Sequence, residues 1–138
     1  MLRLTWADFD AAAARLAELA PAGTRALLPI PRGGLALALA LSHRLGLPVL
    51  SGLPPVPMEG VALVDEIVDT GKTVDLMRKT LGRPHMPVLA WVARDGVNPV
   101  GLYAAAVVPA DRWVVFPWEQ ADAAAVAAEQ EAYRAARQ

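Results

Sequence analysis

Val61-Ala62-Leu63-Val64-Asp65-Glu66-Ile67-Val68-Asp69-Thr70-Gly71-Lys72-Thr73 is the stretch from which the fold of this chain is read. Residues 61–64 form a short apolar run, the pattern of a strand covered on both faces. The run ends on two adjacent acids, Asp65 and Glu66. A third acid, Asp69, precedes Thr70-Gly71-Lys72-Thr73, and a helical pattern follows through Leu76, Met77 and Leu81. The free N–H groups at a helix start attract an anion, and a glycine there lets the backbone approach it closely. Thr70, Lys72 and Thr73 add hydroxyls and a positive charge. Asp65 and Glu66 would repel a bare phosphate, so they need another partner. Carboxylates accept hydrogen bonds from sugar hydroxyls, or hold Mg²⁺ directly or through its waters. A ligand with a phosphate at one end, a sugar in the middle and a metal-bound group beyond satisfies every one of these residues.

Two plainer readings fail. Gly71-Lys72-Thr73 repeats the end of the nucleotide-binding P-loop signature, but that signature needs a glycine where Glu66 stands. A simple helix cap by Asp69 or Thr70 accounts for one acid and leaves two unexplained. The stretch resembles the phosphoribosyl pyrophosphate motif of type I phosphoribosyltransferases, with Glu66 a mild variant of the usual acidic pair. The resemblance implies that Asp65 and Glu66 face the ribose and its Mg²⁺. It also implies that Asp69 lies near the incoming base as the catalytic residue, and that Thr70, Gly71, Lys72 and Thr73 hold the 5′-phosphate.

At 138 residues the chain is expected to be one domain, 1–138, with a single core. Its longest apolar run, residues 35–41, stops at Ser42-His43-Arg44, well short of the ~20 residues a spanning helix needs. Asp8 and Asp10 arrive before any apolar segment, which argues against a signal peptide. The absence of cysteine excludes a disulfide scaffold and a cysteine zinc site. A net charge of −1 gives no general attraction to nucleic acid. A cytoplasmic protein with neither membrane nor nucleic-acid partners is expected.

Thr5 or Asp8 can cap a first helix carrying Phe9, Ala12, Ala13, Leu16 and Leu19 on one face, ended by Pro21-Ala22-Gly23. Residues 26–29 read as the next strand, followed by Ile30-Pro31-Arg32-Gly33-Gly34 and a helix through His43. Paired glycines beside an arginine at a strand-to-helix junction form an anion cradle, though alone they are also ordinary turn punctuation. In context they resemble the family's pyrophosphate loop, which implies that Arg32, Gly33 and Gly34 bind pyrophosphate and that Pro31–Arg32 is a cis peptide. Residues 47–50 read as a short strand. The link at 51–60 is brief and proline-stiffened, where the family usually carries a long mobile lid.

Residues 87–93 read as another buried strand, ending at Arg94-Asp95-Gly96. Related enzymes place a cation near this strand end for the 6-oxo group of a purine, and Arg94 is the nearest here. His43 and His85 have no second ligating side chain at useful spacing. Asp111-Arg112-Trp113-Val114-Val115-Phe116-Pro117-Trp118-Glu119 resembles the base-binding segment of xanthine-guanine phosphoribosyltransferases. By that resemblance Trp113 stacks on the base, the Val114 backbone meets its edge, and Glu119 joins Asp65 and Glu66 around the metal. A C-terminal helix over about 120–137 carries Ala123, Val126 and Tyr133 near one face and Glu131 on the opposite one. It packs on the domain or on a second subunit. Whether it covers the site in place of a lid turns on where Tyr133 falls.

Strands alternating with helices imply an α/β fold with a parallel sheet and its ligand at the carboxyl edge. The expectation is a purine phosphoribosyltransferase that uses Mg²⁺, favours 6-oxopurines and assembles as a homo-oligomer, dimer or tetramer. The alternative is a regulator of the same fold that binds phosphoribosyl pyrophosphate or nucleotide without turnover. The short 51–60 link is its best support.

Overall fold

The computed structural model describes residues 1–52, 59–119 and 123–136. Most of the link at 51–60 therefore lies outside the described residues, and so do the first and last positions of the expected 120–137 helix. The elements in chain order are β1 (Leu2–Arg3), α1 (Trp6–Leu19), β2 (Ala26–Pro29), α2 (Gly34–Leu45) and β3 (Val61–Val68). They continue with α3 (Lys72–Leu81), β4 (Val88–Arg94), β5 (Leu102–Val108), β6 (Val114–Val115) and α4 (Ala123–Ala136).

The main sheet is parallel, in the order β2-β3-β4-β5. Val49 adds a lone parallel bridge to Leu27, so the expected strand at 47–50 shrinks to one pairing. Parallel sheets survive only when covered on both faces, and alternation along β3 divides the core accordingly. Ala62 and Val64 join Phe9, Leu16, Leu37 and Leu41 under α1 and α2; Val61 and Leu63 join Val74 of α3. The same alternation sends Asp65 towards the α3 side and Glu66 towards the α2 side.

Local chemistry sets the boundaries. Thr5 caps α1 in a reciprocal box: the Asp8 amide donates to Thr5 Oγ1 at 3.1 Å, and the Thr5 amide donates to Asp8 Oδ2 at 2.8 Å. Buried Arg78 of α3 donates to the Met86 carbonyl from Nε at 3.0 Å and from Nη2 at 2.6 Å, tying α3 to the approach to β4. β1 and β6 form a small parallel pair of their own, Leu2 opposite Val114, beside the main sheet.

Candidate functional site

Two strand-to-helix junctions meet in a cleft of about 300 Å³ lined by residues 30–33 and 65–74. At the first, Pro31–Arg32 is cis, as the sequence led one to expect. Gly34 is required by crowding: a Cβ there would stand 2.2 Å from the Val64 carbonyl oxygen. Its amide is already spent on the Ile30 carbonyl at 2.9 Å. Gly34 thus serves close helix–strand packing, with its amide engaged inside the loop. Gly33 is different. A Cβ on it would fall 2.0 Å from the Glu66 carboxyl carbon, so Glu66 lies directly against this loop.

At the second junction Gly71 is the N-cap of α3, with φ of +85° and no side-chain capping bond. Neither Asp69 nor Thr70 caps this helix in the ordinary sense; the Lys72 amide makes only a long, 3.4 Å contact to Thr70 Oγ1. The first-turn amides of α3 thus open onto the cleft beside exposed Thr70, Lys72 and Thr73, the arrangement that suits an anion.

Between the two loops the acids are crowded. Burial pushes the Asp65 carboxyl up to about 6, against the pull of the Glu66 and Ile67 amides. Glu66 is pushed up to about 7 by burial and by the charges of Asp65 and Glu119, with Trp118 and Arg32 opposing. Burial also raises Glu119, whose Oε1 accepts from the Phe116 amide at 3.1 Å and whose carboxyl neighbours Glu129 of α4. Such under-compensated carboxylates fit a hard divalent cation that keeps several waters and ligand oxygens. The expected trio does not close into a protein-only cage. Among the described residues no group of three or more His, Cys, Asp or Glu side chains is placed to hold a metal ion.

Strand register builds the far end of the cleft. Val68 opposite Ala93 brings Asp69 level with Arg94, and Arg94 Nε donates to Asp69 Oδ1 at 3.1 Å. Arg94 is 2% exposed; its Nη1 donates to the Pro109 carbonyl at 2.9 Å and also to the Arg112 carbonyl. The sequence offers Arg94 as the nearest cation for a purine 6-oxo group. In the structure it also holds Asp69 and the turn before Trp113, at the end of a strand whose every residue is buried. In β6 the Trp113 and Val115 carbonyls accept from Leu2 and Leu4 at 2.7 and 2.9 Å, so the peptide groups of Val114 alternate to the opposite edge. Trp113 stands beside this edge, half-buried.

Three contacts went unforeseen. Trp118 lies by Glu66 and opposes its rise, Glu129 neighbours Glu119, and the Tyr133 hydroxyl donates to Asp69 Oδ1 at 3.2 Å. Each joins different segments of the chain, which periodicity cannot show. The question left open for α4 turns on Tyr133, which reaches Asp69 at the end of the cleft.

No family model matches the chain. A purine phosphoribosyltransferase from Pyrococcus horikoshii superposes with a TM-score of 0.67 and 30% identity, covering 86% of this chain and 94% of that one. The chain belongs to the type I phosphoribosyltransferase family. Xanthine-guanine phosphoribosyltransferase of Cereibacter sphaeroides is 28% identical over 119 residues, 70% of each chain. At the level of fold alone, a Neisseria gonorrhoeae hypothetical protein with bound ppGpp superposes with a TM-score of 0.69 and 20% identity, covering 96% of this chain and 97% of that one. The α/β fold with a parallel sheet flanked by helices is the one these phosphoribosyltransferase structures share. No helix among the described residues is long and apolar enough to cross a membrane.

Proposed function

We propose that the chain, as one unit over 1–138, transfers the 5-phosphoribosyl group of phosphoribosyl pyrophosphate to a purine, with 6-oxopurines favoured, and releases pyrophosphate. The observation that carries this reading is the shared cleft, where an uncapped helix start, buried Asp65 with half-buried Glu66 and the Arg32–Gly33 loop face one another. The first-turn amides of α3, with Thr70, Gly71, Lys72 and Thr73, hold the 5′-phosphate. Asp65 and Glu66 accept from the ribose hydroxyls and, with Glu119 nearby, supply oxygens for Mg²⁺. Bound there, Mg²⁺ would neutralise charge on the departing pyrophosphate. Arg32 and the Gly33 amide grip that pyrophosphate from the other side. Trp113 stacks on the base, the Val114 peptide edge meets its rim, and Asp69 takes the proton that the attacking purine nitrogen releases as the new C–N bond forms.

The raised carboxyls make a pH prediction. Asp65 and Glu66 titrate in the folded chain near 6 and 7, against ordinary values of 3.8 and 4.5. The folded state therefore holds protons that the unfolded chain has lost. The stabilisation is complete below those ordinary values and vanishes as pH rises through 6 and 7. Without ligand, Tm should fall between about pH 4 and about pH 7 and level off above, and Mg²⁺ with phosphoribosyl pyrophosphate should restore it mainly at the upper end. Thermal melts of wild type and Glu66→Gln check this. An identical pH slope in the two removes Glu66 from the explanation.

A second reading has an observation in its favour. The Neisseria gonorrhoeae protein of this fold carries a guanine nucleotide, ppGpp, and a nucleotide-binding regulator without turnover would use the same cleft. Incubation with Mg²⁺, phosphoribosyl pyrophosphate and a panel of purines and pyrimidines separates the two. Nucleotide and pyrophosphate as products support the transferase; tight binding with no product supports the regulator. Assembly as a homo-dimer or tetramer belongs to the same proposal and is read by light scattering.

A further inference from the structure

Helix α4 brings one face to the cleft. Glu129 and Tyr133 are one turn apart and point the same way, Glu129 to Glu119 and Tyr133 to the base end. The Tyr133 hydroxyl donates to Asp69 Oδ1 at 3.2 Å. Its ring meets that of Trp113 edge-on, with centroids 4.8 Å apart and planes at 63°. The Arg94 guanidinium stands 5.4 Å from the same ring centroid. One side chain thus touches the platform, the proton acceptor and the residue that positions that acceptor. A purine would present much the same features: a flat ring beside Trp113 and an N–H on Asp69.

We infer that Tyr133 is the resident occupant of the base subsite, so that Tyr133 and a purine exclude each other and α4 must shift for the base to enter. This rests on the assignment of Trp113 and Asp69 to the base made above. Ring centroids of interacting aromatic pairs lie about 4.5–7 Å apart. At 4.8 Å the tyrosine ring already sits edge-on against the indole, with its hydroxyl on the Asp69 oxygen that a base N–H would need. An independent sign is the Trp113 indole N–H, which is buried with no acceptor while Tyr133 is in place. Native structures seldom leave such a donor unmet. Withdrawal of Tyr133 frees that donor for water or for an acceptor on the ligand. Of the residues Tyr133 touches, only Asp69 belongs to the cleft lining that carries residues 70–73 and 31–33, and none of its described contacts is to those phosphate-end residues. Base affinity therefore carries the cost of displacing Tyr133, and phosphoribosyl pyrophosphate affinity does not.

The test is equilibrium titration of inosine monophosphate, hypoxanthine and, separately, phosphoribosyl pyrophosphate into the full chain as wild type, Tyr133→Phe and Tyr133→Ala. The alanine variant is expected to bind purine and nucleotide about tenfold more tightly, with phosphoribosyl pyrophosphate unchanged. Phenylalanine keeps the ring and loses only the bond to Asp69, so its gain should be smaller. Melts of the free proteins verify that all three are folded, and a failed alanine variant leaves the phenylalanine comparison to decide. Weaker or unchanged purine binding in the variants overturns the inference, with weaker binding marking Tyr133 as a wall of an already open site. If phosphoribosyl pyrophosphate binds all three proteins and no purine or nucleotide binds any, the base-subsite reading itself falls, and the resident tyrosine with it.

Discussion

Asp69→Asn is expected to lower turnover by about 10²–10⁴-fold, the usual worth of general-base help, while phosphoribosyl pyrophosphate binds almost as before. Asparagine keeps a carbonyl oxygen where Oδ1 now accepts from Arg94 Nε and from the Tyr133 hydroxyl. The geometry of the base end should therefore survive the change. What is lost is the negative charge, and with it the proposed acceptor of the purine proton. In the proposed function the 5′-phosphate is held by neighbouring amides and hydroxyls that the substitution leaves alone, so the effect should fall on kcat rather than on binding of the phosphoribosyl donor. Single-turnover measurements with saturating donor isolate the chemical step. Unchanged turnover in this variant removes Asp69 from the mechanism, whatever else the cleft binds.

The parts of the site that lie within one strand–loop–helix unit were legible from sequence, because local chemistry writes them. Residues 61–73 announce a buried strand, a glycine junction and a helix start; residues 26–34 announce a second one. Gly71 adopts the positive φ that only glycine takes without strain. What sequence reasoning missed depends on register and on contacts between distant segments. β5, whose sequence is LYAAAVV, went unrecognised because alanine carries little strand preference. β1 is two residues long and exists by pairing with β6. Arg94 was legible as the cation that ends a strand, but its bonds to Asp69 and to the turn before Trp113 were not. Nothing in the local sequence says that Val68 pairs with Ala93 and so sets Asp69 beside it. Tyr133 is the extreme case: its partners Asp69, Arg94 and Trp113 stand on three other segments, and α4 shows only a thin apolar stripe. A signal was available in the composition, since the chain has only two tyrosines and this one interrupts an alanine-rich helix.

Arg94→Met should be the most destabilising of the site substitutions, and the way it fails distinguishes two roles for the residue. Methionine fills much of the volume and supplies no donor. It leaves the carbonyls of Pro109 and Arg112 without the arginine N–H and takes the cation away from Asp69, which keeps the Tyr133 hydroxyl. Breaking a fully buried ion pair from one side costs about 3–5 kcal/mol; Asp69 is 29% exposed, so the loss here belongs at the lower end, still a large part of a domain's ordinary ~5–15 kcal/mol. The expected loss in Tm is on the order of 10 °C. Turnover should fall too, since Arg94 fixes both Asp69 and the turn that leads into Trp113. If Arg94 acts in this way, 6-oxopurines and 6-aminopurines lose affinity in equal proportion, because the platform moves for both. A donor aimed at the 6-oxo group would instead penalise only the 6-oxopurines and leave Tm nearly unchanged. Pairing the variant with Asp69→Asn separates the contributions further. Loss of the Asp69 charge should cost little once Arg94 is gone, and a fully additive double variant shows that the two side chains do not act as a pair.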